Sequence, residues 1–117
     1  MEQVAVKNNV DALLAEGDRL YASGTLAAAV GAYESAVVMN PESAEAQFKL
    51  GRGYASLNLP DLAEKNYRKA LALHPGHAQA ANNLGVIAFD RRAFAEAEQL
   101  YRKALAERID YFEAHLN

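Results

Sequence analysis

Residues 51–70 read GRGYASLNLPDLAEKNYRKA, and two further stretches, GDRLYASGTLAAAVGAYESA at 17–36 and GVIAFDRRAFAEAEQLYRKA at 85–104, align with them without a gap and at equal offsets. Gly17, Gly51 and Gly85 fall in register, as do Ala29, Ala63 and Ala97, then Tyr33, Tyr67 and Tyr101, then Ala36, Ala70 and Ala104. A fixed period of this length marks a repeat architecture, in which each unit buries its apolar face only against its neighbours. Within one copy, Leu50, Gly51 and Tyr54, and again Ala63, Tyr67 and Ala70, are spaced by steps that share one helix face. Each unit therefore predicts two amphipathic helices. The first helices are expected over 11–22, 44–57 and 78–91, and the second over 26–39, 60–73 and 94–108.

Breakers stand where this scheme needs them. Gly24 and Asn58 suit the left-handed conformation that closes a helix, and Pro60 suits a first helical position because its missing N–H has no partner there. Pro41 and Pro75 stop second helices. A glycine inside a helix costs about 0.5–1 kcal/mol relative to alanine, so three in register point to close backbone approach. The expected contact is with the alanines of the paired helix, the tyrosines filling the wider gap beside it.

Composition bounds the function. The 117 residues are 51% hydrophobic and 23% charged, which is the balance of one globular domain. A net charge of -3 lacks the positive excess that phosphate backbones demand, so nucleic acid is not an expected partner. The start, Met1-Glu2-Gln3-Val4, lacks a secretory layout, and no apolar run reaches membrane length, so a cytoplasmic protein without a membrane partner is expected. With no cysteine, thiolate metal sites and thiol nucleophiles are excluded.

The pattern resembles the tetratricopeptide repeat, a unit of two helices carrying small residues, an aromatic and a closing proline at fixed places. On that resemblance the chain divides into a lead-in at 1–9, units at 10–43, 44–77 and 78–111, and the start of a fourth at 112–117. The chain departs from the family at Glu16, where leucine is usual, at Ala81, where a large aromatic is usual, and at Ile109, which replaces the proline. The last two departures predict a looser third unit and an altered last turn. The resemblance implies an all-α, right-handed helix-turn-helix solenoid whose first helices line a concave groove for a peptide or helix of a partner protein. The groove residues it implies are Leu14, Asp18, Tyr21, Phe48, Lys49, Arg52, Gln79, Asn82, Asn83, Val86 and Phe89, with Asp11, Glu45 and Asp90 beside them. Members that clamp the C-terminal carboxylate of chaperone tails carry lysine and asparagine where this chain has Leu14 and Asp18, so that clamp is not expected. Members resembling O-linked N-acetylglucosamine transferases carry an asparagine ladder, and here its positions read Ala15, Lys49, Asn83 and Asn117.

The individual residues have plainer readings as well. Lys49 and Arg52 either meet an acidic ligand or are two solvated charges, and both are expected to face outward. Phe48 and Phe89 are either exposed anchors or rings covered by neighbouring helices. His74 and His77 read as loop decoration rather than a metal pair, since no third ligand is near in sequence, and His115 stands alone. Glu64 with Arg68 and Glu98 with Arg102 read as surface pairs along a helix. No convergent catalytic set or phosphate-binding glycine loop appears, so no enzyme, cofactor or metal is expected. A protein-interaction module is the leading function. The alternatives are a targeting or regulatory part of a larger glycosyltransferase or methyltransferase, and an element that self-associates, as a homodimer, through its C-terminal end.

Overall fold

The computed structural model describes the backbone of residues 2–116 and the side chains of residues 3–109. Six helices follow one another: α1 (Glu2–Ala22), α2 (Leu26–Met39), α3 (Ala44–Ser56), α4 (Pro60–Leu73), α5 (Ala78–Asp90) and α6 (Phe94–Leu116). No strand occurs among the described residues. Three-residue links join α1 to α2, α3 to α4 and α5 to α6, and links this short return the chain antiparallel. Each odd helix packs most extensively on the even helix that follows it, and each even helix then packs on the next odd one.

The hairpin links repeat one conformation. Gly24, Asn58 and Arg92, at equivalent places in successive repeats, adopt positive φ angles of 81°, 61° and 64°. Gly24 and Asn58 suit that conformation, whereas arginine does not announce it. Links between hairpins are capped differently. The Ser43 hydroxyl accepts the Ala46 N–H, and at the equivalent place His77 Nδ1 accepts the Ala80 N–H, both at 3.1 Å.

Tyrosine, not alanine, meets the repeated glycines. A Cβ added at Gly51 would sit 2.8 Å from Tyr67 Cδ1 and Cε1, and one at Gly85 would sit 2.8 Å from Tyr101 Cε1. Gly17 is crowded in the same way by the Tyr33 ring. The expected order of contacts is thus corrected: the ring lies directly over the glycine, and the second helix's backbone comes next, with Ala63 O at 3.3 Å from that Cβ of Gly51. The flat ring needs the space that a Cβ would take.

Two ends depart from expectation. α1 begins at Glu2 rather than near residue 11, so the lead-in is helical from that residue onward. α6 runs on to Leu116, through the place where Pro41 and Pro75 end the earlier second helices, because Ile109 keeps the N–H that proline lacks. Ala81 is fully buried.

The candidate groove and its charge cluster

The Tyr33 and Tyr67 rings cross between paired helices and bring their hydroxyls to the side lined by α1, α3 and α5. Tyr33 donates to Asp18 Oδ1 at 2.7 Å and accepts from Arg52 Nη2 at 3.1 Å. Asp18 also takes the Lys49 ammonium on its other oxygen, and Arg52 approaches it at 3.6 Å. Arg52 lies over the Tyr21 ring, 4.2 Å from its centre, and the Tyr21 hydroxyl shares a 2.8 Å hydrogen bond with Ser56 Oγ. Four expected groove residues, Asp18, Tyr21, Lys49 and Arg52, are therefore joined in one network that ties α1 and α2 to α3.

This arrangement corrects the outward placement of Lys49 and Arg52. Lys49 is a mostly covered side chain held between Asp18 and, at 3.7 Å, Glu45. Replacing both cations by glutamate would set four carboxylates together, the two new ones with Asp18 and Glu45, so the pair cannot be reversed without disturbing the fold. Burial works to raise the Asp18 pKa, but hydrogen bonds from Lys49 and Tyr33 and the charges of Lys49 and Arg52 outweigh it and hold the carboxyl below its ordinary value. Burial, helped by the bond to Asp18, pushes the Tyr33 hydroxyl up to about 12.

A stability consequence follows for acid. The depressed folded-state pKa means that the Asp18 contribution is fully present above about pH 4, the ordinary aspartate value, and is lost as pH falls through the folded value. Asp18→Asn should melt below the wild type at neutral pH, and the gap should close in acid. A gap that stays constant from neutral pH to well below pH 4 would remove the charge of Asp18 from the account.

The remaining expected residues divide between surface and core. Leu14 and Phe48 are buried, 8% and 4% exposed, and leave the groove set by correction. Leu14 belongs to the cluster around Tyr33, and Phe48 packs against Tyr67 and His77 with ring centres 5.9 and 4.7 Å away. Asn83 and Val86 line a cleft of about 520 Å³ between α3 and α5, with Arg52, Ser56 and Asp90 around it and the buried Tyr67 in its wall. Asn83 Nδ2 donates to the Tyr67 hydroxyl at 3.3 Å. Gln79, Asn82 and Asn83 line a second cleft of about 660 Å³ between α5 and α6. Phe89 is exposed and stands edge to face with Phe94, centres 5.3 Å apart. Asp11 and Glu45 are exposed. Asn117 and His115 lie outside the side chains described.

Several pairings escaped the sequence. Gln47 and Asn66 are buried and satisfy each other, Asn66 donating to Gln47 Oε1 at 2.8 Å while Gln47 donates to Pro41 O at 3.0 Å. Glu64 binds Arg68 as its spacing implies, at 2.8 Å, but also binds Arg91 of the next hairpin at 2.6 Å, and Arg68 reaches Glu96 at 2.7 Å. The bonds from Arg91 and then Arg68 hold the Glu64 carboxyl below its ordinary value. The buried His77 spends its Nδ1 on capping α5, with Nε2 3.6 Å from Glu45, so that nitrogen is not free to share a metal with His74. No group of three or more histidine or acidic residues that could hold a metal occurs among the described residues.

Helical hairpins stacked at a fixed period, with odd helices lining one clefted side, define an α-helical solenoid. The chain belongs to the tetratricopeptide repeat family, whose model matches residues 14–64 and 48–111. Among solved structures it is similar to MamA, at 26% identity and a TM-score of 0.82, over 90% of this chain and 61% of that one. It is also similar to pilF of Pseudomonas aeruginosa, at 28% identity and a TM-score of 0.77, over 86% of this chain and 45% of that one. The chain thus spans less than two thirds of the length of both proteins. The second such domain of Spaghetti (RPAP3), solved with the HSP90 peptide SRMEEVD, matches with a TM-score of 0.84 over 91% of this chain and 98% of that one, and at 18% identity it shows the fold alone. No curated protein matches the sequence. None of the described helices is long and apolar enough to cross a membrane.

Proposed function

We propose that the chain is a protein-interaction module, not an enzyme, built of units 10–43, 44–77 and 78–111, and that it holds a segment of a partner along α3 and α5. The observation that carries this reading is the cleft of about 520 Å³ whose α5 wall offers Asn83 and Val86. Val86 is 44% exposed, and Phe89 extends the same helix outward. The amide of Asn83 both donates and accepts, as a peptide backbone requires, and Asn82 and Gln79 continue the amide row along α5 into the second cleft.

Charge narrows the ligand. Lys49 and Arg52 are engaged by Asp18, and Arg91 at the cleft's rim is engaged by Asp61 and Glu64. Recognition then falls to apolar contact and backbone hydrogen bonding, which favours a segment of low net charge. Spaghetti's domain holds an acidic chaperone peptide, but the buried Leu14 and the carboxylate of Asp18 supply no cationic clamp for such a tail.

Selection of random phage-displayed peptides on the immobilised chain tests this reading. A selected peptide should lose at least about tenfold in affinity when Val86→Arg is combined with Phe89→Ala, corresponding to about 1.4 kcal/mol, with no fall in melting temperature. Labelled SRMEEVD should show no saturable binding. Selected peptides indifferent to the double substitution, or tight capture of SRMEEVD, would overturn the proposal.

A further inference from the structure

The α1–α3 junction and the α3–α5 junction are built from equivalent positions, and they are filled differently. Between α1 and α3, the Arg52 guanidinium lies over the Tyr21 ring, 4.2 Å from its centre, and the Tyr21 hydroxyl shares a 2.8 Å hydrogen bond with Ser56 Oγ. One period later the same three positions hold Ala55 for Tyr21, Val86 for Arg52 and Asp90 for Ser56, and all three line the cleft of about 520 Å³. Tyr67, the counterpart of Tyr33, stands in its wall. The cleft thus corresponds to the place that an aromatic side chain fills in the preceding junction, and alanine at position 55 leaves it open.

Two features decide what fits there. Ala55, Val86 and Ile87 give the cleft apolar walls suited to a flat ring. Asp90 stands where Ser56 bonds the Tyr21 hydroxyl, and a carboxylate only accepts, so the incoming group must bring a hydrogen. The adjacent Arg91 is held by Asp61 and Glu64, and no cation is committed to the exposed Asp90 among the described residues. Tyr33 and Asp18 show the matching pair within this chain, the tyrosine hydroxyl donating to the carboxylate at 2.7 Å.

We infer that the α3–α5 cleft is a specificity pocket for a tyrosine side chain of the bound segment, its ring against Val86 and Ile87 and its hydroxyl donating to Asp90. The inference deepens the groove reading above and rests on it. Phenylalanine would fill the ring's place and leave Asp90 without its bond, and phosphotyrosine would bring a second negative group to the carboxylate. The loss expected of Val86→Arg agrees with this, because an arginine four residues before Asp90 on the same helix would take that carboxylate for itself.

The pocket is tested first without a ligand, by giving the chain its own ring. Ala55→Tyr restores the register of Tyr21 and should melt above Ala55→Phe by at least about 2 °C, a gap that should vanish when Asp90→Ala is added to both. Phage-displayed peptides selected on the wild-type chain then test the ligand. Those that depend on Val86 and Phe89 should carry a tyrosine, and its exchange for phenylalanine, phosphotyrosine or lysine should each weaken binding at least about tenfold. Asp90→Ala should bring the tyrosine peptide down to the affinity of its phenylalanine form, with the melting temperature of the free chain measured alongside. Ala55→Tyr should abolish binding of both by occupying the pocket. Peptides that need Val86 and Phe89 but hold no tyrosine, or in which phenylalanine or lysine serves as well, would overturn this inference and leave the groove reading standing. Equal melting of Ala55→Tyr and Ala55→Phe would overturn it from the side of the protein. Peptides indifferent to Val86 and Phe89 would instead remove the groove reading, and this inference with it.

Discussion

Gly51→Val is expected to destabilise the fold by about 1–3 kcal/mol or more, read as a lower urea midpoint at an unchanged slope. The Cβ alone would lie 2.8 Å from two atoms of the Tyr67 ring and 3.3 Å from the Ala63 carbonyl oxygen. Tyr67 is 1% exposed and has no free space to enter, because Phe48 packs on it and Asn83 bonds its hydroxyl. Valine adds two further methyl groups to that overlap. With Tyr67→Leu already in place the ring is gone, so the same change should cost much less, and the difference measures the coupling between the two positions. Gly31→Ala provides the opposite sign. A Cβ at Gly31 meets nothing within 4 Å, and the position is exposed inside α2, so alanine should stabilise by about 0.5–1 kcal/mol. Equal stability of Gly51→Val and wild type would sink the glycine–tyrosine account.

The fold was legible because a repeat states its register several times over. α2 and α4 follow the breakers that bound them, Pro60 at the start of α4 and the prolines just beyond each end. The ends were harder to read for the same reason: they have a neighbour on one side only. Nothing between Glu2 and Asp11 breaks a helix, and Ile109 removes the one signal that would have ended α6. Arg92 shows the limit of local chemistry, since its left-handed backbone is imposed by the hairpin that Gly24 and Asn58 also form.

The groove was legible as a row of positions but not as a set of free side chains. Asp18 and Lys49 are 31 residues apart, and only the packing of α3 on the first hairpin decides that they meet. That meeting turns two expected ligand-binding cations into structural ones. Arg91, not among the expected groove residues, reaches the cleft because the α5–α6 turn carries it over α4. Helical spacing places a residue on a face; the adjacent unit decides whether that face is open.

Phe48 and Phe89 separate core from surface most sharply. Both are aromatic and were expected together in the groove, yet Phe48 is 4% exposed and Phe89 is 54% exposed. Phe48→Ala should cost about 3–5 kcal/mol, because it leaves a cavity between the Tyr67 and His77 rings, which cannot both close on it. His77 is fixed by its bond to the Ala80 N–H, and Tyr67 is fixed by Gly51 on its other side. Phe89→Ala removes only an exposed ring and its edge contact with Phe94, so stability should change by no more than about 0.5 kcal/mol. Denaturant titration of the two variants reads this contrast directly. A groove peptide adds a second readout: Phe89→Ala should weaken it at full stability, whereas Phe48→Ala should weaken it only in proportion to unfolding. Phe48→Ala with wild-type stability and a specific loss of binding would instead return Phe48 to the binding surface.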